Sequence, residues 1–312
     1  MESFSHKMPP MANFGILFLC LIAGVLLRRS PKFPKETPGV LNQFILHISL
    51  PAMMIYQFHR VSFSSSAIFP ILMPWLLFLL SYCFFRVMGQ AFHLTRKQLG
   101  VLILTGGLSN TSFVGFPLLE ALLGPDSISV GVLSDQLGSV LILPTLGLLV
   151  GSQFAGRSFS WSHFFKKISG FPPFYALIAS LLLRGLSFHP AVDEMLSRLA
   201  GTITPLALVA VGYQLNFSPS VIQRYRSKLI LGLGFKLLLA PVLFWGGALI
   251  WYGSVARETQ ITLLQSSMAP MISAGILAVE FGFDEELAGL MVGGGITLSL
   301  LTVPALNWFL FS

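Results

Sequence analysis

The sequence predicts an all-α membrane protein: ten transmembrane helices arranged as two inverted five-helix repeats, with helices four and nine broken where they cross. Three observations lead there. The chain of 312 residues is 54% hydrophobic and 10% charged, whereas a soluble domain carries about 25% charged residues; its mean hydropathy is +0.79. The apolar residues gather into ten runs, most of them near the roughly 20 residues that a helix needs to cross a bilayer. A single spacing of 160 residues separates Asn110 from Pro270, Gly115 from Gly275, Glu120 from Glu280 and Pro144 from Pro304.

The first run, Met11 to Leu27, has the length of a signal peptide, but Arg28-Arg29-Ser30-Pro31-Lys32 follows where a small-residue cleavage site would stand, so it reads as a retained span. The second, about Val40 to Phe58, is interrupted by Pro51, and the third runs from Ala67 to Phe85. The fourth, about Leu99 to Leu123, holds Gly106-Gly107-Leu108-Ser109-Asn110-Thr111-Ser112 at its centre. The fifth, about Ile128 to Val150, contains Asp135, Gln136 and Pro144. A polar, basic linker from Gly151 to Lys167 divides the chain near its middle. The sixth span is about Phe171 to Leu186, the seventh about Leu196 to Leu215 and the eighth about Leu229 to Trp251. The ninth is about Ile261 to Phe281 and the tenth about Leu287 to Phe311. Pro205 in the seventh span pairs with Pro51 in the second. Asn42, Pro51 and Pro205 are expected to mark helix breaks in these two spans.

Loop charges orient the spans. Arg28, Arg29, Lys32 and Lys35 follow the first, Arg86, Arg96 and Lys97 the third, Arg157, Lys166 and Lys167 the fifth, and Arg224, Arg226 and Lys228 the seventh. The even-numbered loops hold only Arg60, Arg184, Arg198 and Arg257. The odd-numbered loops are therefore expected in the cytoplasm and both termini outside, because positive loops stay inside. Asp284-Glu285-Glu286 runs against the pattern, but acidic residues weigh little in it. Five spans is an odd number, so the second repeat enters the membrane in the opposite sense. The expected organisation is a first repeat over 1–150, a cytoplasmic linker over 151–168 and an inverted repeat over 169–312.

The broken fourth span carries the chemistry. Unpaired backbone at mid-membrane costs several kcal/mol per group and survives only inside protein or beside a water-filled cavity. Broken helices at that depth point to a transporter's substrate site; the competing reading is a kinked span with a packing role. Pro117 suits the first turn of a half-helix, where its missing N–H has no partner anyway. Two half-helix N-termini that converge favour an anion such as a carboxylate. In the ninth span the break is Ser266-Ser267-Met268-Ala269-Pro270-Met271-Ile272-Ser273-Ala274-Gly275, whose hydroxyls and freed carbonyls suit a cation or a hydroxyl group. Asn110 either contacts the substrate or only caps the break. Asp135 lies near the same depth; intramembrane carboxylates line a pathway or pair with a partner. Lys236 is its partner, a counter-charge for substrate, or a side chain that snorkels to the cytoplasmic face. Glu120 and Glu280 are expected at the interface, and His47 as a packed histidine.

Several classes are excluded. The net charge of +7 comes from short loops and forms no nucleic-acid patch; it fits contact with anionic lipid. The His residues are scattered and no metal-ligand cluster occurs. No HExxH motif is present, and Asn110 directly follows Ser109, against the pattern of a serine between glycines in intramembrane proteases. Nothing marks an enzyme or a cofactor. Cys20 and Cys83 lie in apolar segments and read as buried thiols.

At this point the residues resemble a family. Asn110-Thr111, Gly115, Pro117-Leu118-Leu119 and Gly124 are similar to the fourth-span motif of the auxin efflux carrier family, which includes plant auxin exporters and bacterial permeases for malate and malonate. Asn42-x-Phe44 with Pro51 resembles it too, as do Ser267-Met268-Ala269-Pro270, Glu280, Glu285, Leu287-Ala288 and Ser299-Leu300-Leu301-Thr302-Val303-Pro304. The resemblance extends over essentially the whole chain. It implies the crossed-helix fold of the bile-acid and sodium symporter group, with a scaffold of spans one, two, six and seven, a transport domain of spans three to five and eight to ten, and a homodimer. It places substrate contact at Asn110, around Pro270 and at Gln136. Two departures, Ser109 in place of a proline and the short 151–167 linker, point away from a plant-type exporter and toward a compact permease.

The candidate substrate contacts are thus Asn110, Thr111, Ser112, Gly115, Pro117, Gln136, Met268, Pro270, Met271, Ser273 and Gly275. The coupling-ion candidates are Asp135 and Lys236, for a proton or sodium. The expected function is a secondary transporter of small organic anions in the plasma membrane, by alternating access. The rivals are a sodium-coupled importer and a membrane-embedded ligand sensor; a channel is disfavoured, since no ring of charge occurs.

Overall fold

A computed structural model describes residues 10–58, 67–156, 161, 169–170, 172–183, 186, 188–214, 219–252 and 256–311. Arg60, Arg157, Lys166, Lys167, Arg184 and most of the linker lie outside the described residues. The described residues form helices and turns without a strand. In chain order these are α1 (Pro10–Leu27), α2 (Thr37–Gln57), α3 (Ile68–Ala91), α4 (Arg96–Gly107), α5 (Thr111–Leu123) and α6 (Pro125–Ala155). The second half gives α7 (Pro172–Leu182), α8 (Pro190–Gln214), α9 (Pro219–Ile250), α10 (Arg257–Ser266), α11 (Ile272–Glu280) and α12 (Glu285–Phe311). Six of them, α2, α3, α6, α8, α9 and α12, are long and apolar enough to cross a bilayer. This is an all-α integral membrane protein.

The helices outrun the apolar stretches. α9 begins at Pro219, so Arg224, Arg226 and Lys228 stand on its first turns and not in a loop. Arg96 and Lys97 likewise open α4, behind a reciprocal cap between Thr95 and Gln98. The outer face of α3 shows Leu72, Leu76, Leu79 and Cys83 at helical spacing, so Cys83 is exposed, not buried as the sequence suggested. In a lipid-facing helix both faces are apolar, and composition does not say which one packs.

Prolines widen these helices more often than they break them. Three wide turns, with hydrogen bonds to the fifth residue, end two residues before a proline: Ile45–Ser49 before Pro51, Thr111–Gly115 before Pro117 and Phe235–Leu239 before Pro241. The N–H of the residue just before the proline reaches back five residues, Leu50 to Ile45 and Ala240 to Phe235, which widens the turn where the proline ring would crowd the carbonyl four residues back and offer it no N–H. The break expected at Pro51 is therefore a widened turn in a continuous helix. α8 also runs on, through a turn at Thr202 three residues before Pro205, where Thr202 and Ser49 share a hydroxyl hydrogen bond of 2.7 Å. Asn42 sits within the helical first part of α2, its buried Oδ1 without a partner among the described residues.

Helices α1, α2, α7 and α8 pack on one another, and α3, α4, α6 and α9–α12 form a second group; α5 and the start of α6 lie between them. α1 and α8 touch at backbone level. A Cβ on Gly212 would lie 2.2 Å from the Leu21 carbonyl oxygen, and one on Gly24 would lie 2.2 Å from that of Val209. Small residues are what let membrane helices approach this closely. Gly212→Leu is expected to lower the thermal unfolding midpoint in detergent, since overpacking costs about 1–3 kcal/mol or more. Gly15→Leu, with nothing within 4 Å of its Cβ position, should leave the midpoint unchanged; equal midpoints for all three proteins would refute the contact.

The buried apolar side chains form two clusters. α4 belongs to the second and α5 to the first. Along α6 the order is reversed, with Ile128–Leu133 in the first and Ile142–Phe154 in the second. α10 lies in the first and α11 in the second, while α12 passes from the second to the first. The fourth segment thus runs opposite to the ninth, and the sixth helix opposite to the twelfth. Between the clusters lies a layer of buried polar side chains.

Candidate functional site

That layer is built where two interrupted helices meet. α4 stops at Gly107 and the chain turns extended at Leu108 (φ −109, ψ 119). α10 stops at Ser266, and Met271 is extended (φ −65, ψ 130) before α11. Ser109 and Pro270 face each other as an antiparallel bridge. The Asn110 N–H donates to the Ala269 carbonyl at 2.7 Å, and the Met271 N–H donates to the Leu108 carbonyl at 2.9 Å. The interrupted backbones thereby satisfy each other, the condition for irregular chain at that depth. Pro270, having no N–H, leaves no donor orphaned in the bridge. A Cβ on Gly295 would lie 2.2 Å from Pro270 Cδ, so α12 approaches the break through a glycine.

Asn110 both caps and remains available. Its Oδ1 accepts from the Phe113 N–H at 3.1 Å, while its buried Nδ2 has no partner among the described residues. Capping and ligand contact are therefore not exclusive. Asp135 is fully buried. Its Oδ1 accepts from the hydroxyls of Thr111 and of Ser112, the latter at 2.5 Å, and its Oδ2 accepts from Gln136 Nε2 at 2.5 Å. Gln136 Oε1 stays without a partner among the described residues. The side chains of α5's first turn thus hold the carboxylate of α6.

Lys236 is also fully buried, so it does not snorkel. Its Nζ donates to Ser109 Oγ at 2.5 Å and to the Ser266 carbonyl at 3.2 Å, and no ion pair joins it to Asp135. One ammonium therefore ties the break after α4 to the end of α10. The wide turn Phe235–Leu239 presents it. The freed carbonyls of the ninth-span break were expected to suit a cation, and that of Ser266 does so for Lys236; Ser109 as its other partner and Gln265 were not singled out from the sequence. The Gln265 amide is buried with both ends unpartnered among the described residues, beside Gly115 and Gly131. A glutamine in an apolar span next to a break was a legible signal for it.

Among the other sequence candidates, Pro117 sits in the first turn of the α-helical part of α5, behind its wide turn. Met268 and Met271 are buried at the break, and Ser273 is half-buried in α11. Gly275 lines a cavity of about 490 Å³ between α8, α11 and α12, with Gln214, Ile272, Glu280 and Val292 around it. Asn110 and Asp135 do not line it. Glu120 is half-buried near Thr204, whose hydroxyl donates to it at 3.5 Å, and Glu280 is exposed. His47 is exposed, against expectation, with Nδ1 2.9 Å from the Gln43 carbonyl.

A helix pair interrupted at one level, closed on itself by backbone hydrogen bonds and lined with buried polar groups, points to a membrane transport protein. The chain belongs to the family of that description, membrane transport protein, whose model matches residues 10–306; this is the auxin efflux carrier and malonate permease group to which the motifs pointed. It is similar to an uncharacterized transporter of Methanothermobacter thermautotrophicus, 24% identical over 93% of this chain and 94% of that protein. A second uncharacterized transporter, from Methanocaldococcus jannaschii, is 26% identical over 98% of this chain and all of that one. A Rhizobium meliloti protein provisionally named a malonate transporter is 22% identical over 96% of this chain and 94% of its own length.

Asn110→Ala is expected to weaken substrate binding while leaving abundance in the membrane near normal, since an N-cap loss costs only about 1 kcal/mol. Binding measured by tryptophan fluorescence or calorimetry and found unchanged would reduce Asn110 to a cap.

Proposed function

We propose that this transporter is a secondary carrier of small organic anions, mono- or dicarboxylates, working by alternating access around the meeting point of the two interrupted helices. The observation that carries the reading is the Asn110 amide, buried at the break with its donor unpaired. It lies where the N-termini of α5 and α11 converge, a setting that favours a carboxylate. The name of the Rhizobium relative adds support for the substrate class. On this reading the ten spans are two inverted repeats, and the opposite senses of the fourth and ninth segments support it. Helices α1, α2, α7 and α8 are the scaffold and the pairing surface of a homodimer, and the other helices move against them. The cavity beside Gly275 is the cytoplasmic entrance of an inward-open state, and the packed contacts of α1 and α8 with α5 close the outer side. The plasma membrane is the proposed site, with both termini outside.

The test is flux in proteoliposomes against a panel of mono- and dicarboxylates, under an imposed proton or sodium gradient in turn. Accumulation of one or more carboxylates supports the reading, and no flux of any anion on the panel with folded protein refutes it. Orientation is tested separately in a chain whose Cys20 and Cys83 are replaced. Cysteine at Asp126 should react only from outside. On the cytoplasmic side Ala155 is a better site than Gly156, whose φ of +68 strains any side chain. Labelling of both sites from the same side would overturn the inverted topology.

A further inference from the structure

A second cavity, about 560 Å³, lies between α9 and α12 and has no part in the transport reading. Its lining is apolar apart from two threonines, and one of these, Thr297, already donates its hydroxyl to the Gly293 carbonyl at 3.1 Å. Gly234 and Gly294 face into it. A Cβ on Gly234 would meet nothing within 4 Å, and one on Gly294 would meet only Leu233 Cδ1 at 3.5 Å. Neither glycine is needed for a turn or for helix contact, and each weakens its helix relative to alanine. Together they keep the groove deep. On α9 the lining runs from Ile222 to Leu238, about 24 Å at 1.5 Å per residue, longer than one leaflet's half of a hydrocarbon core about 30 Å thick.

Charge selects the occupant. Ile222, Arg226, Leu229, Leu233 and Leu237 follow one another at helical spacing, so Arg226 stands in the stripe that faces the groove, at its mouth. The acidic residues near that mouth are engaged elsewhere. Asp284 accepts from the Tyr225 hydroxyl at 2.9 Å, and Glu286 pairs with Arg224 at 3.2 Å. Lys228 lies 5.7 Å from the centre of the Tyr225 ring. Arg226 is exposed and pairs with no carboxylate among the described residues. A guanidinium above an apolar groove in a membrane helix matches a phosphate above an acyl chain. We propose that this groove binds one anionic glycerophospholipid, an acyl chain between α9 and α12 and the phosphate on Arg226. Leu237 and Leu238, the two residues after Lys236 in the same wide turn, line the groove, so the bound lipid buttresses the turn that carries that lysine to the crossing.

Native mass spectrometry of the purified full chain, titrated with dioleoylphosphatidylglycerol or dioleoylphosphatidylcholine, tests this. A hydrogen bond to a charged group corresponds to about a tenfold preference for the anionic lipid. Arg226→Gln should abolish the preference and leave phosphatidylcholine binding unchanged. Equal affinity for the two lipids in the unmodified protein, or a preference retained by Arg226→Gln, would overturn the proposal. Phosphatidylglycerol with a photoactivatable acyl chain should label peptides of α9 and α12, and labelling confined to other helices would also sink it. Gly294→Leu should suppress that labelling by filling the groove. If that variant does not fold, Gly294→Ala serves, and undiminished labelling in the variant that folds counts against the site.

Discussion

Asp135→Asn is expected to exchange substrate across a membrane and to lose accumulation against a gradient. The structure explains why the fold should tolerate it. Asn Oδ1 can still accept from Thr111 and Ser112, and the new amide nitrogen would face Gln136 Nε2, donor against donor. A flip of the Gln136 amide removes that conflict, because its Oε1 is unengaged and becomes the acceptor. What disappears is only the titratable group. We propose that this carboxylate, fully enclosed between α5 and α6, is the coupling group and carries a proton because the two conformations hydrate it differently. The measurement is concentrative uptake and counterflow in proteoliposomes across a range of pH. Gradient-driven uptake with its pH profile intact in Asp135→Asn would make the carboxylate structural. Asp135→Ala should behave worse, with reduced abundance, since it strands two buried hydroxyls at about 1–3 kcal/mol each.

Lys236→Met is expected to slow transport strongly while much of the protein still reaches the membrane. Methionine is of similar length and suits the surroundings, where Phe235 stacks on Phe84 with ring centres 4.6 Å apart. The loss is electrostatic and geometric. Ser109 Oγ and the Ser266 carbonyl give up the ammonium that links the two breaks, and the polar layer gives up its one cation among the described residues. An anion entering between the half-helices then meets a weaker field. Exchange rate and apparent affinity should fall together. Exchange at the unmodified rate would show that the lysine fills space and nothing more.

Both residues were legible in the sequence as charged groups in apolar spans, and the two breaks were legible from Gly, Asn and Pro at mid-span. These signals survive because a membrane punishes polar groups and unpaired backbone, so each exception stands out. What the sequence hid was partnership. A pairing of Asp135 with Lys236 was one of the alternatives the sequence left open, yet Asp135 is held by two hydroxyls and an amide and Lys236 by a hydroxyl and a carbonyl, groups too common in the chain to single out. The buried face of α3 and the exposure of His47 and Cys83 were hidden for another reason. A helix between protein and lipid is apolar all round, and the polar–apolar alternation that marks the inner face of a soluble helix is missing. The contact of Gly24 with Gly212 was equally silent among 29 glycines.

The widened turns before Pro51, Pro117 and Pro241 have a consequence for ancestry. Each holds one residue more than an ordinary turn, so everything after it is rotated by about 100° relative to a regular helix. Removing one residue there and closing to a regular turn would leave the next segment facing as it does now, because the wide turn is what absorbs the extra residue. Kinship among such transporters should therefore be traced with single-residue gaps inside their helices, placed just ahead of the prolines. A gap-free comparison would align lipid-facing positions with core-facing ones and understate the kinship.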